Sequence, residues 1–91
     1  MKKIVCNFNL FDMEQTIYVY IEEDGVKYVD PIGRCKFESL GLMLTELCFA
    51  NNINHIHLFG HEQYVDNIVH DIDKHSGCSA YSNGMIQVEV N

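Results

Sequence analysis

The stretch from His55 to Val90 constrains the fold more than any other part of the chain. Residues 55–60, His-Ile-His-Leu-Phe-Gly, form a short strand that is apolar apart from its two histidines. Gly60 opens into a helix over 61–75, where Tyr64, Val65, Ile68, Val69 and Ile72 recur on one face and Glu62, Asp66, Asp71 and Asp73 face away. Ser76-Gly77 closes that helix and Ser82-Asn83-Gly84 makes a turn. Residues 85–90 then read as a strand with Ile86, Val88 and Val90 inward. A strand–helix–strand unit within one sheet crosses over with a right hand in nearly all cases. The C-terminal half therefore imposes two parallel strands bridged by a helix.

The N-terminal half reads as a meander joined to this unit. Residues 3–11 alternate Ile4, Cys6, Phe8 and Leu10 against Val5, Asn7, Asn9 and Phe11, the period of two expected of a strand. Asp12-Met13-Glu14-Gln15 is a polar turn, and residues 16–22 set Ile17, Val19 and Ile21 opposite Thr16, Tyr18, Tyr20 and Glu22. Glu23-Asp24-Gly25 turns the chain back into a short third strand, Val26 to Val29. Asp30-Pro31-Ile32-Gly33 ends the meander, because proline cannot donate to a ladder. After a connection over 34–38, Ser39 can cap a helix to about Asn51. Leu40, Leu44, Leu47 and Cys48 share its apolar stripe, widened by Leu42, Met43, Phe49 and Ala50. Asn51-Asn52 is a left-handed stop. The resulting order, β-β-β-α-β-α-β, predicts an α/β (mixed α+β) domain over residues 1–91. Its five-stranded mixed sheet has the spatial order 3-2-1-4-5, the first strand parallel to the fourth, and helices on both faces.

This element order resembles the core of the ribonuclease H-like fold, in which three antiparallel strands precede alternating helix and strand. The short acidic chain, rich in Asn and Tyr and opening Met-Lys-Lys-Ile-Val-Cys-Asn-Phe, is also similar to small bacteriophage and prophage proteins with no assigned activity. The ribonuclease H-like resemblance implies carboxylates holding divalent metal ions: an Asp on the first strand, others near the end of the fourth strand and on a helix. Here the first strand carries Asn7 and Asn9 instead. Asp12 lies in the turn beyond, Glu62 follows the fourth strand, and Glu38 and Glu46 lie in or near the first helix. The resemblance thus implies a scaffold without its charged first-strand ligand.

Other constellations remain. His55 and His57 project to one strand face and His61 follows just beyond, a set of nitrogens of the kind that holds zinc with a position left for water. Cys78 could join them; His70 and His75 lie on the second helix. Gly60-His61-Glu62 at a strand-to-helix junction could meet an anion, although Glu62 would repel a phosphate. Cys6, Cys35, Cys48 and Cys78 contain no C-x-x-C pair and are expected as reduced thiols. Tyr18 and Tyr20 share a strand face near Tyr28, and such rings can stack nucleobases or contact a protein. Residues 4–26 contain five acids and no Lys or Arg, which disfavours a nucleic-acid backbone. Tyr18, Tyr20, Leu42, Met43 and Phe49 are therefore the candidate interaction residues.

Thirteen acids against six bases leave a formal charge of −7. No apolar run approaches the ~20 residues of a membrane helix and no signal-peptide pattern opens the chain. The expected location is the cytoplasm, that of the host if the chain is phage-encoded. The reading that follows is a small acidic, non-catalytic protein-interaction module, such as a phage-encoded inhibitor or an accessory or assembly protein. Its partner would be another protein of host or phage, with a homodimer expected and no cofactor, nucleic acid or membrane. The alternatives are a small-ligand-binding (sequestering) protein and a metal-dependent hydrolase or nuclease of ribonuclease H-like type.

Overall fold

Alternating β-branched and aromatic residues build a six-stranded mixed sheet, seen in a computed structural model that describes residues 1–8, 14–60, 62–77 and 86–90. The strands are β1 (Lys2–Asn7), β2 (Ile17–Glu23), β3 (Val26–Lys27), β4 (Gly33–Cys35), β5 (His55–Phe59) and β6 (Gln87–Val90). A 3-10 turn, Phe37–Ser39, leads into α1 (Leu40–Asn51), and α2 (Glu62–Gly77) joins β5 to β6. The order across the sheet is β3-β2-β1-β5-β6, with β4 also paired to β2. β1 runs antiparallel to β2 and parallel to β5, and β5 runs parallel to β6. This is the order expected from the sequence, with β4 added inside what reads as a bare connection. Ile32 N–H donates to the Val19 carbonyl at 2.8 Å, which carries the chain back along β2 after Pro31.

Local chemistry sets the turns. Asp24 and Gly25, at φ +53° and +87°, form a two-residue hairpin loop whose left-handed geometry suits the strand twist. The third strand starts at Val26 as expected but ends at Lys27, two residues short of Val29. Asn52, at φ +54°, ends α1 as expected. Ser39 makes no side-chain cap; the 3-10 turn before α1 supplies the entry instead.

The helices do not flank the sheet on both sides. The core takes Ile4 and Cys6 from β1, Ile17, Val19 and Ile21 from β2, and Ile56 and Leu58 from β5, which are residues of a single sheet face. Leu40, Leu44 and Cys48 of α1 and Val65, Ile68 and Ile72 of α2 fill the same cluster. The two helices also pack on each other. A Cβ built on Gly41 would stand 2.4 Å from the Asp71 Cβ, so Asp71 faces α1 rather than solvent. Gly33 meets Met43 and Leu47 in the same tight manner, drawing β4 under α1. Val90, expected inward, is 43% exposed. Among the described residues, no helix covers the opposite face of the sheet.

Candidate functional site on the open sheet face

With one face packed under both helices, the alternate residues of every inner strand form a second face that no described helix covers, though Val5 and His57 at its centre are buried. The pairing registers order it into rows. Phe59 lies beside Asn7, with Tyr18 beside Arg34; His57 lies beside Val5, which lies beside Tyr20; Lys3 lies beside Glu22, which lies beside Lys27. A trough of about 530 Å³ runs along these rows, lined by Val5, Cys6, Asn7, Gln15, Thr16, Tyr18, Tyr20, Glu22, Lys27 and Phe59.

Aromatic and basic groups dominate this face. Tyr18 is 43% exposed and Tyr20 and Phe59 are half-buried. The Lys27 ammonium stands 4.4 Å above the Tyr20 ring centre, a cation–π contact. Lys3, Lys27 and Arg34 place half of the protein's six Lys and Arg residues on this face. Lys3 is neutralised between Glu22 at 3.9 Å and Glu89 at 3.7 Å. Lys27 and Arg34 have no carboxylate partner among the described residues. Asn7, Gln15 and Thr16 are exposed at the trough with no side-chain hydrogen bond among the described residues.

The two strand histidines are drawn to a carboxylate. His55 Nε2 lies 3.0 Å from Glu89 Oε1, a hydrogen bond that the imidazole N–H donates. His57 Nε2 points at Glu89 Oε2 from 3.7 Å, beyond hydrogen-bond range, and is buried with no partner. Its ring stacks on Phe59 at 4.1 Å between centroids. The bond from His55, then the charges of His57 and Lys3, hold the Glu89 carboxyl below the ordinary carboxylate range. Glu89 was not among the sequence candidates, though its place on the last strand, two residues after Gln87, gives it the same face as the histidines. No group of three or more His, Cys, Asp or Glu side chains among the described residues is arranged to hold a metal ion. His61, Asp12 and Cys78 lie outside the described residues.

The remaining candidates scatter. Leu42 is 43% exposed on the outer side of α1, whereas Met43 is half-buried against the core and Phe49 half-buried. Tyr28 lies at the hairpin end, where its hydroxyl donates to Glu23; this bond raises its pKa. Among the described residues, no helix covers Tyr18 or Tyr20. Glu38 and Glu46 are exposed on the helical side of the molecule, away from the trough. Burial pushes the Cys6 and Cys48 thiols up to about 12, with Cys35 adding to the effect on Cys6. Cys6, Cys35 and Cys48 are free, and Cys35 too is raised by burial. Among the described residues, no helix is long and apolar enough to cross a membrane.

Neither the models of known protein families nor the curated proteins include one that matches this chain.

Proposed function

We propose that the protein is a non-catalytic binding module that holds a small ligand in the trough on the open face of its sheet. The observation that carries this reading is the gathering of three rings, three polar side chains unbonded among the described residues, the Lys27 ammonium and the Glu22 carboxylate around one trough of about 530 Å³. Ligand sites are concave, of roughly 300–1,000 Å³, with aromatic walls and a few polar groups that fix orientation. The trough has that size and that lining. Thiols held protonated by burial give Cys6 and Cys48 no nucleophilic role. Free thiols suit a reducing, cytoplasmic setting.

The test is a fragment screen read by amide chemical shifts of the isotopically labelled full chain. The expected result is saturable shifts confined to Asn7, Thr16, Tyr18, Tyr20, Lys27 and their neighbours. A library that leaves these signals unmoved overturns the reading.

A second reading, a protein-contact role through a homodimer, is favoured by the β6 edge. There Val90 is 43% exposed and only Glu89 guards the strand against pairing. Light scattering at micromolar concentration is expected to give twice the 10.5 kDa chain mass on this reading, and a monomer refutes it.

A further inference from the structure

The ligand class follows from how the rows of the open face differ, an argument that rests on the binding reading above. In the first row, Phe59 and Asn7 lie side by side and Tyr18 stands beside Arg34. Tyr18 has an exposed ring, and Asn7 carries an amide with one acceptor and two donor hydrogens left unbonded by the described residues. Gln15 and Thr16 add an amide and a hydroxyl at the same end. Rings flanking free amides suit a planar heteroaromatic group: the rings take its faces and the amides its polar edge. In the middle row the Lys27 ammonium is held over Tyr20. Alternate residues of a strand lie roughly 7 Å apart, so this cation stands about one sugar's length from the first row. Arg34 pairs with Tyr18 across the strands but lies outside the trough lining, so Lys27 is the cation that the trough itself offers.

We infer that the trough binds a single nucleotide, its base against Tyr18 and Phe59 with its edge on Asn7, and its phosphate toward Lys27. Charge separates this occupant from two neighbouring classes. A neutral sugar would leave the Lys27 ammonium, which makes no ion pair among the described residues, without a counter-charge. A long single strand would bring many phosphates to a chain of net charge −7, and Glu22 and Glu89 interrupt the basic groups along the face. One phosphate needs only the cations already present.

The experiment is titration of the labelled full chain with adenosine and uridine 5′-monophosphates. Adenosine, ribose 5-phosphate, inorganic phosphate and a twelve-residue oligothymidylate are run in parallel. The nucleotides are expected to shift Asn7, Thr16, Tyr18 and Lys27 saturably, at least about tenfold more tightly than ribose 5-phosphate or phosphate (about 1.4 kcal/mol). Lys27→Gln should weaken the nucleotide several-fold and leave adenosine unchanged, whereas Tyr18→Ala should weaken both. Tyr18 and Lys27 are exposed, so both variants should fold, which circular dichroism checks. Equal binding of ribose 5-phosphate, tighter binding of the oligonucleotide, or no shift at about millimolar nucleotide overturns the inference. If other fragments still occupy the trough, the nucleotide class alone falls; if nothing does, the binding reading falls with it.

Discussion

Gly41→Ala tests the arrangement that leaves one sheet face open. Gly41 is the second residue of α1, and the added Cβ would meet the Asp71 Cβ at 2.4 Å, with the Asp71 carboxylate 3.3 Å away. Asp71 cannot rotate its own Cβ aside, because that atom is fixed to the α2 backbone, so the helix axes must part. Overpacking of this kind costs about 1–3 kcal/mol, and a contact this short belongs at the upper end. Replacing glycine near a helix start returns at most about 1 kcal/mol of propensity. The net loss is about 1–2 kcal/mol, or a fall in Tm of roughly 4–8 °C per kcal/mol for a domain of this size. In an Asp71→Gly background the obstructing atom is gone and the sign reverses: Gly41→Ala then stabilises by up to about 1 kcal/mol. Urea unfolding followed by circular dichroism measures all four members of the cycle. A Gly41→Ala protein as stable as the parent, or a coupling below about 0.5 kcal/mol, would refute the direct α1–α2 contact and the one-sided placement of the helices.

Three further outcomes follow from the same structure. Leu58 is fully buried between β1 and β6, so Leu58→Ala should cost about 2–5 kcal/mol in urea unfolding and Leu58→Asp should leave the chain unfolded by circular dichroism. Glu89 has its folded pKa lowered, so its ionised form stabilises the fold above the ordinary value of 4.5, and this contribution is lost as pH falls through the lowered pKa. Glu89→Gln should therefore melt below the parent at pH 7, with the two Tm values converging as acid protonates the Glu89 carboxyl; a gap that persists or widens in acid contradicts the pairing with His55. In a Cys78→Ser background, a thiol reagent at about pH 8 should label Cys35 well before Cys6 and Cys48, which burial holds protonated; mass spectrometry of the peptides reads the order.

The sheet was legible because its signals are local. The alternation over 16–22, the Asp24-Gly25 turn and the strand–helix–strand run at 55–90 each specify a neighbour, and together they leave few orders for five strands. β4 was not legible, since Gly33-Arg34-Cys35 is too short to show a period and is held by pairing with β2 and by the fit of Gly33 under Met43 and Leu47. The placement of the helices was misread for a similar reason. The first strand does show one more apolar side, Ile4, Cys6 and Phe8 against Val5, Asn7 and Asn9, but that alternation does not say that both helices share it. The two helices meet at Gly41 and Asp71, a contact between residues thirty positions apart that no local pattern announces.

The site was obscured by counting charge along the chain when the relevant count runs across the sheet. Residues 4–26 contain five acids and no base, which argues against any anionic ligand at Tyr18 and Tyr20. Pairing changes the neighbourhood of those rings. Glu23 and Asp24 sit at the hairpin end, where Asp24 holds the terminal amine and Glu23 the Tyr28 hydroxyl. Glu14 is tied to Lys36 at 3.1 Å. Only Glu22 among the described acids of that stretch stays on the face, and Lys3 stands next to it. The hairpin brings Lys27 back over Tyr20, β4 brings Arg34 beside Tyr18, and both come from outside the segment that was counted. An acidic protein thus carries two cations without carboxylate partners among the described residues on the sheet face opposite its two helices. Because charges act over a range set by the ~8–10 Å Debye length, the proposed phosphate would answer to Lys27 and to the Glu22 beside it more than to the distant net charge.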